Sequence, residues 1–246
     1  MSDSKKTKSP PPKKIVAKKA TLKEVTPKAP VRPTDYGRAP LYSFQIELKG
    51  ISPKIWREFY VPADINLQDF HQTLVHVMGW RGGHQCFFEI KGVQYDDFGD
   101  DGMDLIAAVL GLPSANFAAE EDNHQYLDSI TLDSLGLRKG TKIQYVYDMG
   151  DNWEHVITVK NLNYVPSQPQ SRRGCLGGAR ACPPEDCGSI PGYNKVLKAV
   201  ADPEHKGIHD ITMWLNEDYD PEKFDLAKVN SLLAEIWGDD FDEDDD

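Results

Sequence analysis

The sequence predicts an α+β domain: a β-grasp-like sheet packed on one main helix, a C-terminal helical extension, and disordered N- and C-terminal tails. Three observations carry that expectation. Two strand-period segments follow one another closely before residue 62, a capped amphipathic segment comes next, and later strand patterns are entered through a leucine-rich turn containing glycine.

In "LYSFQIELKG", Tyr42, Phe44, Ile46 and Leu48 alternate with polar residues, as a half-buried strand requires. After "ISP", "KIWREFYVP" reads as a second strand ended by Pro62, and the short spacing makes the two a hairpin. Asn66 is placed to cap a helix running to Met78. Leu67, Phe70, Leu74 and Met78 recur at about one helical turn, Asp69 sits near the positive end, and Gly79 stops it.

"HQCFFEIKG" returns to strand period, and "VQYDD" pairs with it across Gly92. An irregular stretch follows, with a short helix expected at "MDLIAAVLG". Leu132, Leu135 and Leu137 then lead into a strand carrying Ile143, Tyr145 and Tyr147 on one face, and "WEHVITVK" is the next strand. The expected division is 40–165 for the sheet region and 166–237 for a Pro/Gly/Cys loop and helical extension. In that extension "ACPPEDCGSIPGY" reads as loop. "YNKVLKAVAD", "HDITMWLN" and "DLAKVNSLLAEIWG" are helical patterns, the last capped by Asp225, faced by Leu226, Val229, Leu233 and Ile236, and ended by Gly238.

Charge divides the chain. Residues 1–38 hold 11 basic and 3 acidic residues, a net +8, while the remainder holds 17 basic and 36 acidic, a net −19, out of 28 and 39 in the whole chain. The first segment, rich in Lys and Pro and poor in large apolar residues, is expected to be disordered, as is 239–246, where seven of eight residues are acidic. The basic segment is an expected non-specific contact for nucleic acid. There is no apolar run of the roughly 20 residues that cross a bilayer and no apolar h-region at the start, so the reading is a cytoplasmic protein without a membrane partner. Four cysteines in that setting are packing residues or metal ligands rather than a disulfide framework.

At "YSFQIELKGISPKIWREFYVP", "YDMGDNWEH", "ACPPEDCGSIPGY" and "YDPEKFD" the sequence resembles the plasmid pRiA4b ORF-3-like protein family, over about residues 40–237. The resemblance implies a recurrent bacterial domain of chromosomes and mobile elements, with some members described as passenger proteins of transposable elements, and no established activity. It also implies a His-x-His pair before the Phe strand, where this chain has His84 and Cys86.

Strand alternation places Trp153, His155, Ile157 and Val159 on one face, and His84, Cys86, Phe88 and Ile90 on another. A histidine on an apolar face is hydrogen-bonded, coordinated or at a cavity rim, because an unpaired buried polar group costs about 1–3 kcal/mol. Asp148 and Asp151 of the intervening "DMGDN" turn are its candidate partners. The candidate binding set is therefore His84, Cys86, Asp148, Asp151, Trp153 and His155, with the sides of His84, Cys86 and His155 expected to face one another. Three readings stay open: a satisfied histidine buttressing a tight turn, a ligand or metal pocket, and acid–base catalysis.

Cys175, Cys182 and Cys187 are weaker metal candidates, for zinc, or the packing of a Pro-stiffened loop in which Glu185 and Asp186 cap a turn. They are expected to form no disulfide, with at least one buried against the C-terminal helices. His205 and His209 lack the Glu of a helical zinc-protease motif, and no phosphate loop, nucleophile elbow or dinucleotide fingerprint occurs. Trp56, Tyr60 and Trp80 are binding surface or core. The leading functional expectation is a binding or interaction protein with an unidentified protein or ligand partner. The alternative is a metal-dependent hydrolase using His84, Asp148 or Asp151, and His155, with a divalent metal such as zinc.

Overall fold

The computed structural model describes residues 39–96, 126–166, 172–202, 215 and 219–237. The helix expected at "MDLIAAVLG", most of "HDITMWLN", His205, His209, Gly238 and both tails lie outside the described residues.

One sheet of seven strands has the order β4-β3-β5-β6-β1-β2-β7. The strands are β1 (Leu41–Leu48), β2 (Trp56–Pro62), β3 (Cys86–Ile90), β4 (Val93–Asp96), β5 (Lys142–Tyr147), β6 (Trp153–Tyr164) and β7 (Gly174–Ala179). Every neighbouring pair is antiparallel. The described helices are α1 (Leu67–Met78), α2 (Ser189–Ala201) and α3 (Leu226–Trp237), so the class is α+β. Among the described residues no helix is long and apolar enough to cross a membrane.

Period-2 alternation sorts each strand. Phe44, Ile46 and Leu48, then Phe59 and Val61, Phe88 and Ile90, Ile143, Tyr145 and Tyr147, and Ile157 and Val159 are all buried. Onto this face α1 lays Phe70, whose ring lies 5.1 Å from Phe44, 6.0 Å from Phe59 and 5.9 Å from Phe88. The Asn66 side chain accepts from the Asp69 amide, and Gly79 closes the helix with a φ of 106°, a left-handed value that glycine adopts without steric cost.

The C-terminal part departs from expectation in three places. "GCLGGA" is an edge strand, β7, paired with β2. Its glycines carry little strand propensity, so the sequence gives no sign of it. It is held instead by α3: the Asn230 side chain accepts from the Cys175 amide at 2.8 Å and donates to the Cys175 carbonyl at 3.0 Å, occupying an edge that another strand would otherwise pair with. Helix α2 begins at Ser189, inside the segment read as loop, because Pro191 falls in its first turn, where a missing N–H costs nothing. In α3, Asp225 caps as expected, its Oδ1 accepting from the Lys228 amide. The expected apolar face is only partly used, however: Leu233 is buried and Val229 and Trp237 pack on the core, while Leu226 and Ile236 are exposed.

Arg57 is the charge at the centre of this packing. It is 2% exposed. Its guanidinium donates to the carbonyls of Val77, Trp56, Ala179, Met78 and Arg180, and lies 4.1 Å over the Phe224 ring. It thereby ties the C-terminal turn of α1 to the chain leaving β7.

Candidate functional site

The antiparallel register brings several chain segments to one corner. Cys86 opens β3 opposite Tyr147 at the end of β5, and Tyr147 is opposite Trp153 at the start of β6. The loop before β3, the 148–152 turn and the end of α1 therefore meet, and the loop after β7 closes over them.

Asp148 makes the tight turn. Its φ is 61°, a left-handed conformation that Asp and Asn tolerate better than most residues. Its Oδ1 accepts from the amides of Gly150 at 2.9 Å and Asp151 at 3.2 Å, and its amide donates to the Gln85 carbonyl at 2.9 Å. That bond fixes the turn to His84's neighbour. The imidazole of His84 then lies between two carboxylates, Nδ1 3.7 Å from Asp148 Oδ2 and Nε2 3.6 Å from Asp186 Oδ1. Both separations exceed a hydrogen bond. One donor atom each from His84, Asp148 and Asp186 lie within 4.8 Å of one another.

Pro183–Asp186 is pinned on both sides. The Trp80 indole donates to the Pro183 carbonyl at 3.0 Å. Glu185 Oε1 accepts from the Tyr147 hydroxyl at 2.8 Å and from the amides of Arg81 and Gly82 at 3.2 Å each, and Arg81 Nε lies 3.3 Å from Oε2. Asp151 Oδ2 accepts from the Gly188 amide at 3.1 Å. Gly192 lets α2 approach this loop, since a Cβ there would fall 1.7 Å from the Cys187 carbonyl oxygen. Between the end of α1 and the loop lies a cleft of about 150 Å³, lined by Trp80, Arg81, Pro183, Pro184 and Glu185 among others.

Burial sets the protonation states behind the rim. Burial first, and then the hydrogen bond to Glu185, pushes Tyr147 well above the usual tyrosine range. Burial, with Asp151 the next contributor, pushes the Cys187 thiol up to about 12. His155 is fully enclosed, with Trp80 edge-on to its ring at 5.2 Å and Tyr145 at 5.3 Å. Burial holds it down at about 3 and outweighs the nearby backbone of Tyr145 and Trp153, which favours the charged form from positions that fall short of hydrogen-bond geometry. Neither of its ring nitrogens, nor the Trp153 indole nitrogen, makes a hydrogen bond among the described residues.

Of the residues singled out in the sequence, His84 and Asp148 meet at the rim, with Asp151 beside them holding Gly188. Cys86, Trp153 and His155 share the core-facing side of the sheet but are buried beneath the rim. Asp186, read as a turn cap, completes the convergent group; two prolines before it hide its direction from any periodicity. Cys175, Cys182 and Cys187 do not form a group of three donors within 4.8 Å among the described residues, whereas His84, Asp148 and Asp186 do. The Cys175 thiol donates to the Glu58 carbonyl at 3.4 Å, the Cys187 thiol reaches the Ser189 carbonyl at 3.9 Å, and burial raises all three above the usual thiol range. All are free and buried, Cys175 against α3. Tyr60 and Trp80 are core, and Trp56 is half-buried.

Comparison with known proteins gives a consistent picture. The family model described as plasmid pRiA4b ORF-3-like protein matches residues 40–228. The uncharacterized protein y4hQ of Sinorhizobium fredii is 26% identical over 202 residues, covering 80% of this chain and 93% of that one. The crystal structure of MM3350, a protein of unknown function from Methanosarcina mazei Go1, superposes with a TM-score of 0.61 at 28% identity, over 77% of this chain and 97% of that chain.

Proposed function

The chain belongs to the plasmid pRiA4b ORF-3-like family, and from that premise we propose that it is a binding protein whose ligand enters at the corner formed by His84, Asp148 and Asp186 and the adjoining cleft. One observation carries this reading: the cleft and the acid-flanked imidazole share a wall, the pinned Pro183–Asp186 loop. Few polar groups converging beside a concave, partly aromatic surface is the usual form of a small-ligand site. In the hydrolase alternative His155 is sealed behind Trp80 and Tyr145, out of hydrogen-bond reach of a substrate proton, so that reading would rest on His84, Asp148 and Asp151 alone.

Titration of the ¹⁵N-labelled full chain with a library of small carboxylate, amine and phosphate fragments tests this. The expected perturbations fall on the Trp80 indole and on the Arg81, Gly82 and Glu185 amides, and they vanish in Glu185→Ala. Binders that map only to the opposite face of the sheet, or none at all, would overturn it.

A second contact is supported by charge. The Lys-rich segment 1–38, net +8, is proposed to hold polyanions non-specifically against a remainder of −19 that repels them. Affinity for random-sequence DNA is expected to fall steeply between about 50 and about 200 mM salt, with a slope of about −0.9 per phosphate neutralised. It is expected to disappear when residues 1–38 are removed. Salt-insensitive binding, or binding that persists in the truncated chain, would place the contact elsewhere.

A further inference from the structure

The geometry points to a divalent-cation site made by His84, Asp148 and Asp186, suited to a first-row transition metal of the zinc class and forming the floor of the ligand corner. It rests on the binding reading above, and names what that corner holds.

The donors come from three separate segments, the loop before β3, the β5–β6 turn and the loop after β7, and are assembled only by the fold. Asp148 is the anchor. Its side chain is 8% exposed. Oδ1 is taken by two backbone amides, which fixes the carboxylate and leaves Oδ2 turned to the imidazole at 3.7 Å, the direction from which a cation would be met.

Charge argues the same way. Asp148, Asp151, Glu185 and Asp186 crowd the corner. Among the described residues Arg81 is paired with Glu185, and His84 is the cation-capable group that meets Asp148 and Asp186. A dication would neutralise both carboxylates at once.

The spacing fits. Around a metal with bonds of about 2.0–2.2 Å, adjacent donors stand roughly 3–3.5 Å apart. One donor atom from each of the three residues already lies within 4.8 Å of the others; an ion takes only one nitrogen of the imidazole, so the shell closes by a shift of Asp186, whose side chain is 76% exposed and free to move. One imidazole nitrogen with two carboxylates favours zinc, iron or manganese over calcium, which prefers an all-oxygen shell. Three protein donors leave a coordination position for a ligand arriving from the cleft.

Isothermal titration of the metal-free full chain with ZnCl₂ at pH 7.5 tests the site. One stoichiometric site is expected, with affinity reduced at least about tenfold in His84→Ala, Asp148→Asn and Asp186→Asn, by analogy with losses seen even for supporting residues of metal sites. It should be unchanged in Asp128→Asn, an exposed carboxylate elsewhere. Asp148→Asn keeps an Oδ1 acceptor for the turn, so unchanged thermal melting of its metal-free form separates lost ligation from lost fold. Equal isotherms for wild type and the three variants would mean that zinc binds at other groups. Absence of any site would mean that the three side chains meet without holding a metal. Either result overturns the cation site, while fragment binding at Trp80 and Glu185 would leave the ligand-corner reading standing.

Discussion

Arg57→Met is expected to lower unfolding stability by about 3 kcal/mol or more, since several buried carbonyls would each lose a donor at about 1–3 kcal/mol, read as the shift in a urea transition. The reason lies in what Arg57 satisfies. Its donors meet five backbone carbonyls. Those of Val77 and Met78 belong to the last turn of α1, where no helical amide can reach them. A buried ion pair can sometimes be exchanged for apolar residues without loss, because both partners leave together. Here the acceptors are main chain and stay behind, each unsatisfied carbonyl costing about 1–3 kcal/mol where water cannot enter. The helix terminus also carries partial negative charge, which a guanidinium offsets and a thioether does not. Arg57→Lys should fall between, since three ammonium donors cannot serve five acceptors in a planar fork. A loss below about 1 kcal/mol for Arg57→Met would show that those carbonyls find other donors.

Arg57 also marks where sequence reasoning stops. In "KIWREFYVP" strand alternation puts it on the same side as Phe59 and Val61, yet a lone arginine in a strand carries no sign of five carbonyls waiting for it, because those come from α1 and from the chain leaving β7. Elements governed by local chemistry were legible. Asn66, Asp69 and Gly79 bracket α1 as their capping chemistry requires, and the strand faces around His155 and Cys86 follow from period 2 alone. Features set by distant partners were not. β7 exists because β2 offers an edge and Asn230 covers the other side. Leu226 and Ile236 fit a helical stripe but are left exposed, since α3 meets the core through Val229, Leu233 and Trp237. The rim divides likewise. His84 and Asp148 announced themselves through the strands they border, whereas Asp186 arrives from a proline-stiffened loop held by Trp80 and Tyr147, contacts that no sequence spacing encodes.

Acid should weaken the fold well before its carboxylates titrate, through two buried histidines. Burial holds His155 down at about 3. Burial, with a smaller contribution from His76, holds His71 down at about 4. In the unfolded chain both titrate near 6.5, as free histidine does. Above that pH both states are neutral and the full stability is present. As pH falls through about 6.5, the unfolded chain gains protons that the folded one refuses, and stability is lost until the folded histidines titrate in turn. At pH 4.5, about two units below the free value, each site would have removed roughly 2.7 kcal/mol, about 5 kcal/mol together, against a typical margin of about 5–15 kcal/mol. His76, also lowered by burial, acts in the same direction. Asp64, raised chiefly by burial, acts in the opposite one, because its folded form takes up a proton more readily than the free carboxyl. Local geometry supports the neutral forms. His71 Nδ1 lies 2.8 Å from the Tyr145 hydroxyl and, unprotonated, can accept its hydrogen bond, while His155 packs against the rings of Trp80 and Tyr145. Urea midpoints between pH 7.5 and 4.5 test this on wild type and on His155→Leu, which keeps the volume apolar and cannot titrate. The wild type should lose stability steeply below about pH 6.5, and the variant should follow a slope about half as large from that pair. Parallel curves for the two proteins would show that His155 carries no part of the acid response.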